Sequence, residues 1–196
     1  MHIKINKHFK ISLFSLWAVL TIYLIINNFH RPKITVSNTR LIEAYFSPQD
    51  KPLKPLLNLI NKTNKTLWVA VYTFTSKDLA EALIKAKNRG VDVQVITDPY
   101  SLKAKSGQVE NLQKNKIPIF VFHPEKANRL FRPLMHNKFA IFDFGDSQKF
   151  LCTGSLNWTK SALNSNQENI IITDCPRAYE KYKIFFNKIR EEATVA

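Results

Sequence analysis

Thr66-Leu-Trp-Val-Ala-Val-Tyr72, Thr75-Ser-Lys-Asp-Leu-Ala-Glu-Ala-Leu-Ile-Lys-Ala86 and Val91-Asp-Val-Gln-Val-Ile96 follow one another with only short breaks. The first and third are apolar, β-branched runs of strand length. The middle one places Leu79, Ala82, Leu83 and Ala86 on one helical face. Thr75, with Asp78 three residues on, forms a capping-box pattern at its start, and Gly90 supplies the C-terminal stop. A strand, a crossing helix and a second strand predict a parallel pair covered by helix.

Working outward, Pro52 to Lys62 carries Leu53, Leu56, Leu57 and Ile60 at helical spacing, and a further helix is predicted from about Gly107 to Asn115. Ile117 to Phe122 reads as a strand. Met135 to Phe142 and Phe150 to Thr153 read as a hairpin around Gly145-Asp-Ser-Gln148. Glu168 to Thr173 is another apolar strand, and Arg177 to Glu192 a closing helix. The fold class is therefore α/β, with a mixed, mostly parallel sheet flanked by helices. A hydrophobic N-terminal helix precedes it.

That N-terminal segment begins basic, and Ile11 to Ile26 then runs sixteen residues without a charge. A full span needs about 20 residues, reached from Phe9 to Phe29 if Lys10 snorkels outward. Asn27 to Lys33 offers no small-x-small cleavage site, so an uncleaved anchor is predicted, with a cleaved signal as the alternative. The excess of positive charge before the span predicts a cytoplasmic N-terminus and an exported domain, periplasmic or extracellular, or secreted if the segment is cleaved. Residues 1–33 are thus the membrane anchor or signal segment, 34–40 a linker, and 41–194 the folded domain.

The chain has 196 residues, 45% of them hydrophobic, enough to bury a core and to exclude global disorder. Two cysteines exclude a disulfide scaffold. The net charge is +14, of which Lys4, Lys7, Lys10, Arg31 and Lys33 supply +5, leaving +9 on residues 34–196. Such a domain expects an anionic partner: nucleic acid, an anionic membrane or a phosphate substrate.

Chemistry concentrates after residue 135. His136 and Lys138 share a strand face about 7 Å apart. An imidazole beside a fixed ammonium suits a phosphate, with the lysine neutralising charge while the histidine attacks or moves a proton. Gly154 ends a strand and frees backbone N–H groups, and Ser155 and Asn157 can donate to phosphate oxygens. Glu168 opens the next strand, where a carboxylate can orient a histidine. Asp143 lies at an odd offset from His136 and faces away. Lys126, Arg129 and Arg132 form a basic loop before the motif, and His123 stands near the rim as a further substrate-binding candidate. Trp68, Tyr72, Phe74 and Phe139 read as core. No glycine-rich nucleotide loop or metal-type Cys/His cluster is present, so neither metal nor cofactor is implied.

His136-x-Lys138-x4-Asp143, Gly154-Ser155-x-Asn157 and Glu168 together resemble the phospholipase D superfamily signature. Tyr72-Thr-Phe-Thr-Ser76 and Arg89-Gly-Val-Asp92 resemble its small single-motif branch, which includes bacterial endonucleases and mitochondrial cardiolipin hydrolases. The likeness covers residues 42 to 192 and implies the phospholipase D/nuclease fold. It implies His136 as nucleophile, forming a phosphohistidine, with Lys138 and Asn157 on the phosphate oxygens and Ser155 supporting. Glu168 would pair with His136. A single His-x-Lys implies a homodimer whose two subunits share one site. The ten residues between Asp143 and Gly154 make a longer hairpin than the family usually carries; an even extension preserves strand parity. The implied activity is hydrolysis of nucleic-acid phosphodiesters. The alternative is a phospholipase D releasing phosphatidic acid from phosphatidylcholine or cardiolipin, and a remote one is a non-catalytic nucleic-acid or membrane-binding module.

Overall fold

The computed structural model describes residues 17–23, 41–104, 106–123 and 132–196. The chain divides into two units, Met1–Asn38 and Thr39–Ala196. In the first, residues 17–23 are helical, and most of the expected hydrophobic span lies outside the described residues. Among the described residues no helix is long and apolar enough to cross a membrane.

The second unit is built on one eight-stranded sheet. Its strands are β1 (Ile42–Ser47), β2 (Thr66–Val71), β3 (Asp92–Thr97), β4 (Ile119–Phe122), β5 (Lys138–Gly145), β6 (Gln148–Gly154), β7 (Glu168–Thr173) and β8 (Ala193–Val195). The helices are α1 (Leu53–Lys62), α2 (Lys77–Asn88), α3 (Pro99–Lys103), α4 (Val109–Lys114), α5 (Lys160–Asn164) and α6 (Pro176–Glu191). The spatial order is β1-β7-β6-β5-β2-β3-β4-β8.

The β2–α2–β3 unit pairs parallel as its crossover helix requires, and β4 continues that parallel run. Every other pairing is antiparallel, which corrects the expectation of a mostly parallel sheet. The cause is connection length. β5 and β6 are joined through Asp146 and Ser147, both with positive φ (45° and 66°), a two-residue reversal that can only return the chain antiparallel. β1 and β8 then add antiparallel edges.

Side-chain alternation divides the strands between two cores. Leu67, Val69 and Val71 of β2, Ala140 and Phe142 of β5, Cys152 of β6 and Ile170 and Ile172 of β7 face α1, α2, α4 and α5. Ala70, Ile96, Phe139, Ile141 and Leu151 face the other way, onto Tyr179, Phe186 and Ile189 of α6. The cap of α2 is Ser76, whose Oγ accepts from Leu79 N at 3.4 Å, one residue later than the Thr75 pattern suggests. Gly90 follows the helix at φ 90°, the left-handed conformation that ends it.

Candidate active site

The pairing registers bring the motif residues to one end of the sheet. β5 runs antiparallel to β2, so its first residue, Lys138, lies opposite Val71, the last of β2. Phe139 opposes Thr153, which brings Lys138 level with Gly154 at the end of β6. Gly154 opposes Ile170, two residues from Glu168 at the start of β7. His136 and Lys138 share the parity of Ala140 and Phe142, Gly154 that of Cys152, and Glu168 that of Ile170. The long β5–β6 hairpin therefore leaves the motif on one face, as its even extension predicts.

Gly154 is glycine for reasons of space. A Cβ there would collide with the backbone carbonyl oxygen of Asn169. Strand β6 is thereby drawn against β7, and Ser155 locks the junction: its backbone N donates to Asn169 O at 3.1 Å, its Oγ accepts from Asn169 N at 3.1 Å, and the same Oγ donates to Glu168 Oε2 at 2.5 Å. Within the chain, Glu168 takes its hydrogen bond from Ser155; the implied bond to His136 is not formed among the described residues. Asn157 is half-buried, and its Oδ1 accepts from Thr73 N at 3.1 Å. That bond assigns Oδ1 as the acceptor and leaves the Nδ2 hydrogens as donors.

Lys138 is held between its neighbours. Its Nζ donates to His136 O at 2.6 Å and lies 5.4 Å from the centre of the Tyr72 ring. Burial pushes its ammonium below the ordinary lysine value, and the negative charge of Glu168 opposes that shift. The His136 imidazole packs against the same Tyr72 ring at 4.8 Å between centroids, tilted 57°. Tyr72 stacks in turn on Tyr100, 5.5 Å away and within 7° of parallel. Tyr72 thus gathers an imidazole and a cation around one ring, and the amide of Asn157 is held by Thr73, the next residue in the chain.

One buried carboxylate organises the approach to His136. Asp98 follows β3 and is 0% exposed. Its oxygens accept from Tyr100 N at 3.0 Å, from Met135 N at 3.2 Å, and from Arg132 Nη2 at 3.3 and 3.2 Å. Arg132, expected on a substrate phosphate, is thus engaged by the chain's own Asp98. His123 is exposed and follows β4, with its backbone N on Glu192 O at 3.3 Å. Three strand spacings separate β4 from β5, about 14 Å, so His123 is not brought to the motif. Asp143 lies five residues along β5 from Lys138, about 17 Å away, and its Oδ1 accepts from Gly145 N at 2.9 Å in the hairpin turn, so it is not brought to Lys138. Lys126 and Arg129 lie outside the described residues.

A family model described as "Cardiolipin synthase, PLD-like domain" matches residues 56–190. The chain belongs to the phospholipase D superfamily. It is 34% identical over 143 residues to a mitochondrial cardiolipin hydrolase of Xenopus tropicalis, a match covering 73% of this chain and 63% of that protein. It is 30% identical over 141 residues to a phospholipase D of Rickettsia conorii, covering 72% of this chain and 65% of the relative. The chain thus spans under two thirds of the length of these relatives. NucT from Helicobacter pylori shares the fold, with a TM-score of 0.72 at 24% identity over 81% of this chain and 100% of NucT.

Three residues of this phospholipase D-like site escape the sequence reading. Tyr72 reads as core but is half-buried against His136. Asp98 and Tyr100 carry a signal that was available: Asp-Pro opens a helix, with the aspartate as cap and the proline at the first helical position.

Proposed function

We propose that the chain is a phosphodiester hydrolase acting through a phosphohistidine, and that its substrate is nucleic acid. The observation that carries this is the convergence of His136, Lys138, Asn157 and Glu168 from separate elements at one end of the sheet. An imidazole nitrogen of His136 attacks phosphorus, and the bond from phosphorus to the leaving oxygen breaks as that oxygen takes a proton. Lys138 and the Nδ2 of Asn157 hold the non-bridging oxygens and stabilise the charge that develops there. Water then attacks the phosphohistidine, releasing phosphate monoester and restoring the imidazole. The +9 charge of residues 34–196 favours a polyanion.

The proton donor to the leaving group is the partner subunit's His136 in a homodimer. On the opposite face of the sheet, at the same end, α6 exposes Ile184 and Phe185 between Lys181 and Lys188, next to Asn137, an apolar surface open to a second copy. Residues 1–33 anchor the chain, 34–40 link it, and 41–194 form the catalytic domain on the exported side; cleavage of the segment would release it. Phospholipid is the second reading. It is supported by Leu102 and Leu134, each 49% exposed on segments adjoining Tyr100 and His136, and by the names of the relatives.

The experiment compares wild type with His136→Ala, in EDTA, on single-stranded DNA, RNA, cardiolipin vesicles and phosphatidylcholine vesicles. His136-dependent cleavage of a nucleic acid supports the first reading, and cleavage of lipid alone replaces it with the second. Cleavage of any of these that survives His136→Ala overturns the mechanism.

A further inference from the structure

Tyr100 is 56% exposed although it stands within two aromatic rings of the nucleophile. Its inner face lies on Tyr72, nearly parallel, so the accessible part of the ring is its outer face and edge. The centroid steps of 4.8 Å and 5.5 Å bring that ring within about 10 Å of the imidazole. The ring is also held in place from its backbone. Pro99 stands at the first position of α3, Asp98 caps Tyr100 N, and buried Ser101 donates from Oγ to Tyr72 O at 3.1 Å while accepting from Phe74 N at 2.9 Å. The helix carrying Tyr100 is therefore bonded directly to the strand end carrying Tyr72. A solvent-facing aromatic fixed this firmly loses little freedom when a ligand covers it.

We propose that the outer face of Tyr100, backed by Tyr72, is a subsite on which an unpaired nucleobase of the substrate stacks, one or two nucleotides from the scissile phosphate. The proposal rests on the nucleic-acid reading of the site. A flat π-face takes any base, and the nearby cations suit the backbone: Lys103 is exposed one turn along α3, and Lys138 Nζ lies 5.4 Å from the centre of the Tyr72 ring. A base inside a duplex has both faces covered, so the subsite serves single strands. A single ring would give a lipid acyl chain only a small apolar surface, whereas it matches the area of one base.

The test uses the full chain as wild type, Tyr100→Leu and Tyr100→Phe, on a labelled single-stranded oligonucleotide and on an abasic strand of equal length. Stacking on one base predicts that Tyr100→Leu lowers kcat/KM on the oligonucleotide roughly 5- to 100-fold, while Tyr100→Phe stays near wild type. On the abasic strand the leucine variant and wild type should converge. An equal loss on both strands would show that the ring supports Tyr72 and His136 and binds no base, overturning the subsite. No loss on either strand overturns it as well. If wild type leaves the oligonucleotide intact yet cleaves cardiolipin vesicles through His136, the nucleic-acid reading fails and takes the subsite with it. Because Tyr100 is more than half exposed, its replacement leaves the core untouched, and an unchanged thermal melt confirms this.

Discussion

Replacing Asp98 by alanine should disturb stability and catalysis together, and the structure gives the size of both effects. The carboxylate is fully buried and receives four donor contacts from three residues: Tyr100 N, Met135 N and the Arg132 guanidinium, the last two at 3.2 Å at their shortest. Removing one member of a buried ion pair costs about 3–5 kcal/mol, because the other charge loses its partner. Arg132 keeps a side chain 39% exposed and can turn to water, which moves the estimate toward the low end. Met135, 2% exposed, cannot do so, and its orphaned N–H adds about 1–3 kcal/mol. A net loss of about 4–6 kcal/mol follows. With a urea m-value of about 2 kcal/mol per molar, the unfolding midpoint should fall by roughly 2–3 M.

Catalysis should fall as well, under conditions where the variant is still folded. Met135 precedes His136, and Tyr100 supports the ring against which His136 packs, so the carboxylate fixes the imidazole from two sides. A displacement of about 1 Å at a nucleophile costs on the order of 100-fold in rate. The assay is kcat for diester cleavage well below the unfolding transition, with Asp98→Asn beside Asp98→Ala. Asparagine keeps an acceptor but loses the charge facing Arg132, so it should fall between alanine and wild type in both readouts. Native kcat in a folded Asp98→Ala enzyme would refute the positioning argument. A midpoint shift below about 0.5 M would refute the energetic one.

Other perturbations follow from the same geometry. Since burial lowers the Lys138 ammonium and Glu168 partly restores it, the alkaline limb of kcat/KM should lie below the ordinary lysine value, and Glu168→Gln should move it lower still; a pH–rate series checks both. In the window between the lowered native value and the ordinary one, the unfolded chain binds the extra proton, so the contribution of this group to stability should rise with pH. Gly154→Ala drives a methyl into the Asn169 carbonyl; it should cost about 1–3 kcal/mol in a denaturant melt and lower kcat by displacing Ser155 from Glu168. The Cys152 thiol is buried and pushed up to about 12, so a native thiol titration at pH 8 should leave it unreacted until denaturant is added, whereas half-buried Cys175 is open to reagent.

The sequence carries the parts of the fold whose signals are local and periodic. Glu168 to Thr173 coincides with β7, and the β2–α2–β3 unit pairs as a crossover must. The antiparallel balance is also written locally, in the Gly145–Gln148 turn, whereas the parallel pairing of the β2–α2–β3 unit reaches only as far as β4. Short edge elements were missed for lack of signal: β8 has three residues, and α5 is a single turn. The motif residues were legible because strand parity carries His136, Lys138, Gly154 and Glu168 to one face. Tyr72 and Asp98 were not, since their roles arise from β3 lying beside β2 and from the loop before β5 crossing the end of β3. A buried aspartate and an apolar-run tyrosine look ordinary until that crossing is known.

A phosphohistidine forms efficiently only if the leaving oxygen collects a proton from the side of phosphorus opposite the attacking imidazole. Among the described residues one chain places a single imidazole, His136, at this end of β5, while His123 stands three strands away. If two copies of His136 share one site, a dimer with one His136→Ala subunit is as inactive as one with two. Activity in randomly assembled mixtures, prepared by co-refolding wild type and His136→Ala, should then fall as the square of the wild-type fraction. An equimolar mixture should keep roughly a quarter of the activity, where a site complete within each chain would keep roughly half. Mixing the two proteins after folding, without subunit exchange, should give the linear value and serves as the control. A linear fall in the co-refolded series would mean that each chain carries its own proton donor, and the shared site would be wrong.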